Sequence, residues 1–229
     1  QRPSSLGGPG GEGPYVGTED CLYLDISAPS KKKSNLLPVM FWIHGGGNTS
    51  GLKDLYDFNK MVRKHDVIVV RANYRLGPFG WFYHPSIQEY QTGLDKTSNF
   101  GTLDIIAALE WVRENVEKFG GDKDNVTIFG ESAGGGSIYA LLATPQASGL
   151  FHKAISESTW IHPNNVTNLK KPNGFQESAE NLGKQAVDKV LGVSSGDILA
   201  KMRSMSAQEV LDLDHSVALI VDDWLFELV

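Results

Sequence analysis

The sequence predicts an α/β fold: a mostly parallel sheet with helices on both faces. Three observations carry this. Strand-like and helix-like segments alternate through residues 18–160, the order that builds parallel sheets from strand-helix-strand units. The run Val67-Ile68-Val69-Val70 is apolar without interruption, as in a strand covered on both faces. Two further apolar runs, ending at Ile43 and Phe129, pass directly into glycine-rich turns.

Residues 1–17 are rich in Gly, Pro and Ser and read as a loosely ordered arm. Residues 21–26 alternate as a strand, and 38–43 form a second. A helix is expected at 54–65 and a buried parallel strand at 67–73. Residues 101–119 carry Leu103, Ile106, Leu109, Val112 and Val116 at helical spacing and stop at Gly120. A strand at 125–129, a helix at 133–143 and a strand at 153–158 follow. Beyond Pro163 the texture turns to polar helical segments, at about 175–191, 195–203 and 207–212. The whole reads as part of a single domain: an arm (1–17), a sheet core (18–160) and a helical region (161–229).

The chain has 229 residues, 41% hydrophobic and 21% charged, with a net charge of -6. An acidic balance argues against a phosphate-backbone partner. The only basic run, Lys31-Lys32-Lys33, sits in an expected loop before Pro38 and reads as a solvated turn. Nucleic acid is therefore set aside. No apolar stretch approaches the roughly 20 residues needed to span a bilayer.

Chemistry enters at Val126-Thr127-Ile128-Phe129-Gly130-Glu131-Ser132-Ala133-Gly134-Gly135-Gly136. This reads as a buried strand running through Gly-x-Ser-x-Gly into a helix. A serine on such a turn has its hydroxyl held above the sheet, ready to act as a nucleophile. The candidate is Ser132. A second match, Gly192-Val193-Ser194-Ser195-Gly196, follows a polar helical stretch with no strand before it, and reads as a helix end and capped restart.

His44-Gly45-Gly46-Gly47 follows the apolar run 39–43. A serine attacking an ester creates an oxyanion, and fixed N–H groups must already face that charge. The expected donors are the N–H of Ala133 and N–H groups of this loop. His44 reads as a residue that orients the loop, in preference to a base. Other histidines after Ser132 are His152, His162 and His215, with Asp188 and Asp197 before the last. A local Ser-acid-His triad can thus be written, but nothing in these contexts supplies its geometry. His152 reads as a surface residue before a strand.

These motifs, with Glu19-Asp20-Cys21-Leu22-Tyr23-Leu24, Asn73-Tyr74-Arg75-Leu76-Gly77 and the unbroken block 98–135, give the chain a close resemblance to the type-B carboxylesterase family. That family is the cholinesterase-like branch of the α/β-hydrolases. The resemblance implies an α/β-hydrolase fold, a serine carboxylesterase activity on small-molecule carboxylic esters, and no metal or organic cofactor. It places the acyl-forming nucleophile on Ser132 and the oxyanion donors on Gly46, Gly47 and Ala133. Glu131 matches an acidic residue beside the nucleophile, read as an electrostatic neighbour in preference to a merely solvated one. Ser158 matches a serine that in relatives hydrogen-bonds near the catalytic acid, and Arg75 and Asp104 resemble a structural ion pair.

The family places its catalytic acid and histidine far downstream, past Val229. The chain then resembles an N-terminal half, and the remaining half of the hydrolase, in the same chain or as a separate piece, is its expected partner. Residues 161–229 resemble the cap-side insertion of the family. Cys21 reads as a small buried hydrophobe on a strand, or as half of a family pair whose partner lies upstream. Family members that bind quaternary ammonium have a tryptophan just before Glu-Asp-Cys, where residues 1–18 offer only Tyr15.

Ile105, Glu157, Thr159 and Asn48 depart from the residues usual in the family and bear on acyl-pocket shape. Trp160 fits either a pocket wall or core. Asn48, Asn125 and Asn165 open glycosylation sequons, of which Asn48 would crowd the loop. The rival reading is a non-catalytic, cholinesterase-like adhesion or scaffold protein. Retention of Ser132 and three loop glycines weighs against it, since binding needs neither.

Overall fold

A computed structural model describes residues 16–31, 34–159, 161, 166–173, 177–192, 197–213 and 220–222. The elements, in chain order, are β1 (Leu24–Ser27), β2 (Leu37–Ile43), α1 (Asn59–His65), β3 (Ile68–Ala72), α2 (Pro85–Gln88), α3 (Phe100–Asn115), β4 (Gly121–Glu131), α4 (Ala133–Ala143) and β5 (Lys153–Glu157). After these come β6 (Thr167–Asn168), α5 (Ala179–Leu191), α6 (Ile198–Arg203), α7 (Ala207–Leu211) and β7 (Ile220–Val221). The five-stranded sheet has the order β1-β3-β2-β4-β5. All its pairs are parallel except β1 with β3.

Alternation along the strands sorts two cores. Val39, Phe41, Ile43, Ile68 and Val70 point to the face that α3 and α4 cover with Ile105, Leu109, Val112, Ile138 and Leu141. Met40, Trp42, Val69 and Phe129 point to the other face, where α1 brings Met61 and Val62. The sheet thus has helices on both faces, because a strand with period two buries both sets only if each side is covered.

Several boundaries differ from the sequence expectations for local reasons. The strand expected from Cys21 begins only at Leu24, because the Cys21 carbonyl accepts from Tyr23 N at 3.0 Å in a tight turn and from Asn73 Nδ2 at 3.1 Å. The helix expected at 54–65 is a 3-10 turn at Lys53–Leu55, a break, and then α1. At the break the Tyr56 carbonyl accepts from Arg71 at 2.7 Å, Asp57 accepts from Asn59 N at 2.8 Å, and Tyr56 and Phe58 pack on Trp42. α3 ends in a 3-10 turn at Val116–Phe119, with Gly120 left-handed at φ 87°.

The region beyond residue 160 is not wholly helical: Thr167 and Asn168 pair with Ile220 and Val221. Its helices pack on the excursion after β3, through Phe82 against α5 and α6 and through Tyr83 against Ala179 and Ile220. α5 ends on left-handed Gly192, and Asp197 caps α6 by accepting from Ala200 N. A helix end and a capped restart thus bracket Ser194, which itself lies outside the described residues, as do Trp160, His162, Asn165, His215 and residues 1–15. Among the described residues, no helix is long and apolar enough to cross a membrane.

Candidate active site

Parallel pairing sets the site. Ile43 on β2 sits beside Gly130 on β4, and Glu131 beside Glu157 on β5. His44, Ser132 and Ser158 therefore leave the carboxyl edge of the sheet side by side, the edge where open α/β sheets place their ligands.

Ser132 is the bend between β4 and α4, with φ 56° and ψ -117°. That conformation is strained for a residue with a Cβ, by about 1–3 kcal/mol, and persists only where the surroundings hold it. Here they do. Ser132 N donates to Glu157 O at 2.9 Å, and Ser132 O accepts from Gly136 N at 3.0 Å. The bend also needs bare backbone beside it: a Cβ on Gly134 would strike the carbonyls of Ile43 and His44.

The loop 44–47 lies against this bend. A Cβ on Gly45 would sit 2.7 Å from Glu131 O, 3.0 Å from Glu131 Oε2 and 3.2 Å from Ser132 Cβ. This contact puts the glycine loop against the serine. Gly46 and Gly47 have φ 109° and 62° and are exposed. The Gly46 carbonyl accepts from Thr49 N at 3.1 Å, from Ser50 N at 3.0 Å and from Ser50 Oγ at 3.0 Å, closing the loop on itself. Among the described residues no acceptor occupies the N–H groups of Gly46, Gly47 or Ala133. The Ala133 N–H opens an 11-residue helix, whose amino end carries partial positive charge.

His44 is buried, and its ring lies flat on Tyr74 with centroids 4.3 Å apart. Its Nδ1 is 2.8 Å from Gly45 O. A carbonyl oxygen only accepts, so the proton is on Nδ1. Burial pushes the imidazole pKa down to about 4, against a smaller opposing effect of that bond. A neutral, inward-held ring that donates to its own loop is placed for orientation. The sequence left Tyr74 without a role; its hydroxyl donates to His44 O at 2.6 Å.

Of the other candidates, Glu131 has its carboxylate beneath Gly45. Ser158 is exposed with φ 48°, directly after β5. Arg75 and Asp104 form a bidentate pair, Nε to Oδ2 at 2.8 Å and Nη2 to Oδ1 at 2.7 Å. The partner carboxylate raises the Arg75 pKa. Cys21 is a free, half-buried thiol off the strand, and burial raises its pKa. Asn48 is 5% exposed with φ 58°, so its sequon is closed to a glycan. His152 is exposed, and its Nδ1 accepts from Val126 N at 3.1 Å. A cavity of about 310 Å³ borders Cys21, His44, Tyr74, Arg75 and Phe79, and Ser132 does not line it.

Comparison with known proteins bears on the family and the fold. The sequence pattern of the Carboxylesterase family matches residues 2–226. Para-nitrobenzyl esterase of Bacillus subtilis (strain 168) is 44% identical over 213 residues, covering 92% of this chain and 40% of its own length. Carboxylesterase 5A of Canis lupus familiaris is 40% identical, covering 91% of this chain and 35% of its own. Among solved structures, a thermophilic PNB esterase superposes with a TM-score of 0.82 at 37% identity, over 100% of this chain and 47% of that one. The fold is that of the α/β-hydrolases, and the chain spans less than half the length of these relatives. The chain belongs to the carboxylesterase family.

Proposed function

We propose that the protein carrying this chain is a serine hydrolase of carboxylic esters. The observation that carries the reading is the strained bend at Ser132 with the glycine loop so close beside it that a Cβ on Gly45 would lie 3.2 Å from Ser132 Cβ. Ser132 Oγ attacks the ester carbonyl carbon. The N–H groups of Gly46, Gly47 and Ala133 hold the oxyanion, and the alcohol leaves. Water then attacks the acyl-serine and releases the acid. Ser132 needs a base, and His44 does not serve, since its ring is buried flat against Tyr74 and burial holds its pKa down to about 4. The base and the carboxylate that orients it belong to the remaining half of the hydrolase, past Val229. Glu131 acts on the site electrostatically from beside the loop, and Ser158, exposed directly after β5, is a candidate to hydrogen-bond near the acid.

Small esters with an aromatic alcohol portion are the first substrates to try, because a relative is named para-nitrobenzyl esterase. In the full-length protein, Ser132→Ala abolishes hydrolysis of p-nitrophenyl acetate and labelling by a fluorophosphonate, while Ser194→Ala leaves both near wild type. A dead Ser194→Ala and a live Ser132→Ala would overturn the assignment. The adhesion reading fares poorly on the same grounds: close packing of bare glycines against a strained serine has no use in surface binding.

A further inference from the structure

We infer that Tyr74 is a positioning residue of the oxyanion loop, acting through His44; this rests on the hydrolase reading above. Two successive peptides of the loop are tied from behind. The first is His44–Gly45, whose carbonyl accepts from the Tyr74 hydroxyl at 2.6 Å. The second is Gly45–Gly46, whose carbonyl accepts from His44 Nδ1 at 2.8 Å. In a trans peptide the C=O and the following N–H point in opposite directions. Holding Gly45 O therefore fixes the direction of the Gly46 N–H, one of the oxyanion donors.

Tyr74 controls both ties. Its hydroxyl makes the first, and its ring, stacked 4.3 Å from the imidazole at 17° between planes, sets the orientation from which His44 makes the second. Tyr74 is itself fixed: it is buried two residues beyond β3 and meets Trp81 edge-on at 6.0 Å. Gly51 closes the far side, where a Cβ would lie 2.5 Å from both Gly45 O and His44 Nδ1.

His44 and Tyr74 are buried, yet both border the 310 Å³ cavity, so packing does not enclose them on every side. The directional bonds add precision that packing there does not supply. A shift of about 1 Å in such a group costs about 10²-fold in rate.

The test is Tyr74→Phe in the full-length protein, with rates expressed per fluorophosphonate-reactive site so that unfolded molecules do not count. Removing the hydroxyl lowers kcat about 10- to 10²-fold with KM within about two-fold, the split expected when only transition-state contacts weaken. Affinity for a trifluoromethyl ketone, which forms the tetrahedral adduct, falls in parallel with kcat. Tyr90→Phe, which removes an exposed hydroxyl, changes neither. Should too little Tyr74→Phe fold, His44→Asn is read in the same two assays, and its amide, set where Nδ1 was, retains part of both. Wild-type kcat and ketone affinity in Tyr74→Phe would overturn the inference, as would equal loss of kcat in Tyr90→Phe. If Ser132→Ala stays active, the hydrolase reading has failed; if it is dead and Tyr74→Phe is normal, only the role of Tyr74 has.

Discussion

Gly47 shows how one residue at the site is constrained by conformation and not by space. A Cβ there would meet nothing closer than Thr49 Oγ1 at 3.8 Å, yet φ is 62°. Valine is a genuine outlier in that region, so Gly47→Val turns the peptide and its N–H away. The expected loss in kcat is about 10² to 10³, the range for one oxyanion donor. Because Gly47 is exposed, circular dichroism should stay native. His44 gives a second prediction. Its pKa falls from an ordinary 6.5 to about 4 in the folded chain. Between those values the unfolded state takes up a proton and the folded state does not, so stability is full above about pH 6.5 and declines down to about pH 4. The decline is about 3 kcal/mol. Urea unfolding of wild type and His44→Asn at pH 7 and pH 4.5 checks it, since the variant lacks that share of the pH dependence. Ser132 and its glycines were legible in sequence because a sharp bend demands bare neighbours at fixed offsets. Tyr74 was not: its hydroxyl meets His44 30 residues away, and no spacing encodes that.

At the scale of elements, buried polar bonds add to the apolar contacts of Phe82 and Tyr83 where the region beyond residue 160 meets the sheet domain. Asp222 Oδ2 accepts from Thr97 Oγ1 at 2.8 Å, Ser98 N at 3.1 Å and Asn99 Nδ2 at 2.9 Å. Asn99, the residue that starts α3, also exchanges bonds with the backbone of Ile220 at 3.0 and 2.7 Å. Asp222→Ala leaves these donors buried without that acceptor, at about 1–3 kcal/mol for each left unsatisfied. Asp222→Asn keeps an amide oxygen in place and loses much less. Chemical denaturation of the two variants separates them, and equal losses would remove the hydrogen-bond explanation. Long elements were readable from sequence: α4 runs as expected over Ala133–Ala143, since its limits are a bend and a change of composition. β6 and β7 were not readable, because two-residue strands have no period and pair across 53 residues, Thr167 with Ile220. The break before α1 was missed because aromatic packing on Trp42 overrides helix propensity.

At the scale of the molecule, the sheet ends in two edges. β1, paired antiparallel with β3, is one of them. β5 is the other edge, and among the described residues nothing pairs with its outer side. Its Ile155 is 45% exposed, and on the neighbouring α4 Tyr139 and Leu142 are 48% and 58% exposed. An unpaired, partly apolar edge is a template for another strand. The curated relatives extend well past the part matched here, the chain spanning 40% of one and 35% of another. The 229-residue chain alone is therefore expected to be a poor esterase as well as a sticky protein. It has the candidate nucleophile and oxyanion donors but lacks the proposed base, and removing triad members leaves about 10³ to 10⁴ over water. Purified and verified by mass, it should bind a hydrophobic dye or self-associate. It should hydrolyse p-nitrophenyl acetate far more slowly than the full-length protein. Adding residues beyond Val229, in the same chain or as a second polypeptide, should restore turnover and suppress dye binding together, because one segment would both cover β5 and bring the base. Turnover by the isolated chain near that of the intact protein, lost on His215→Ala, would falsify this division and move the base into the 229 residues.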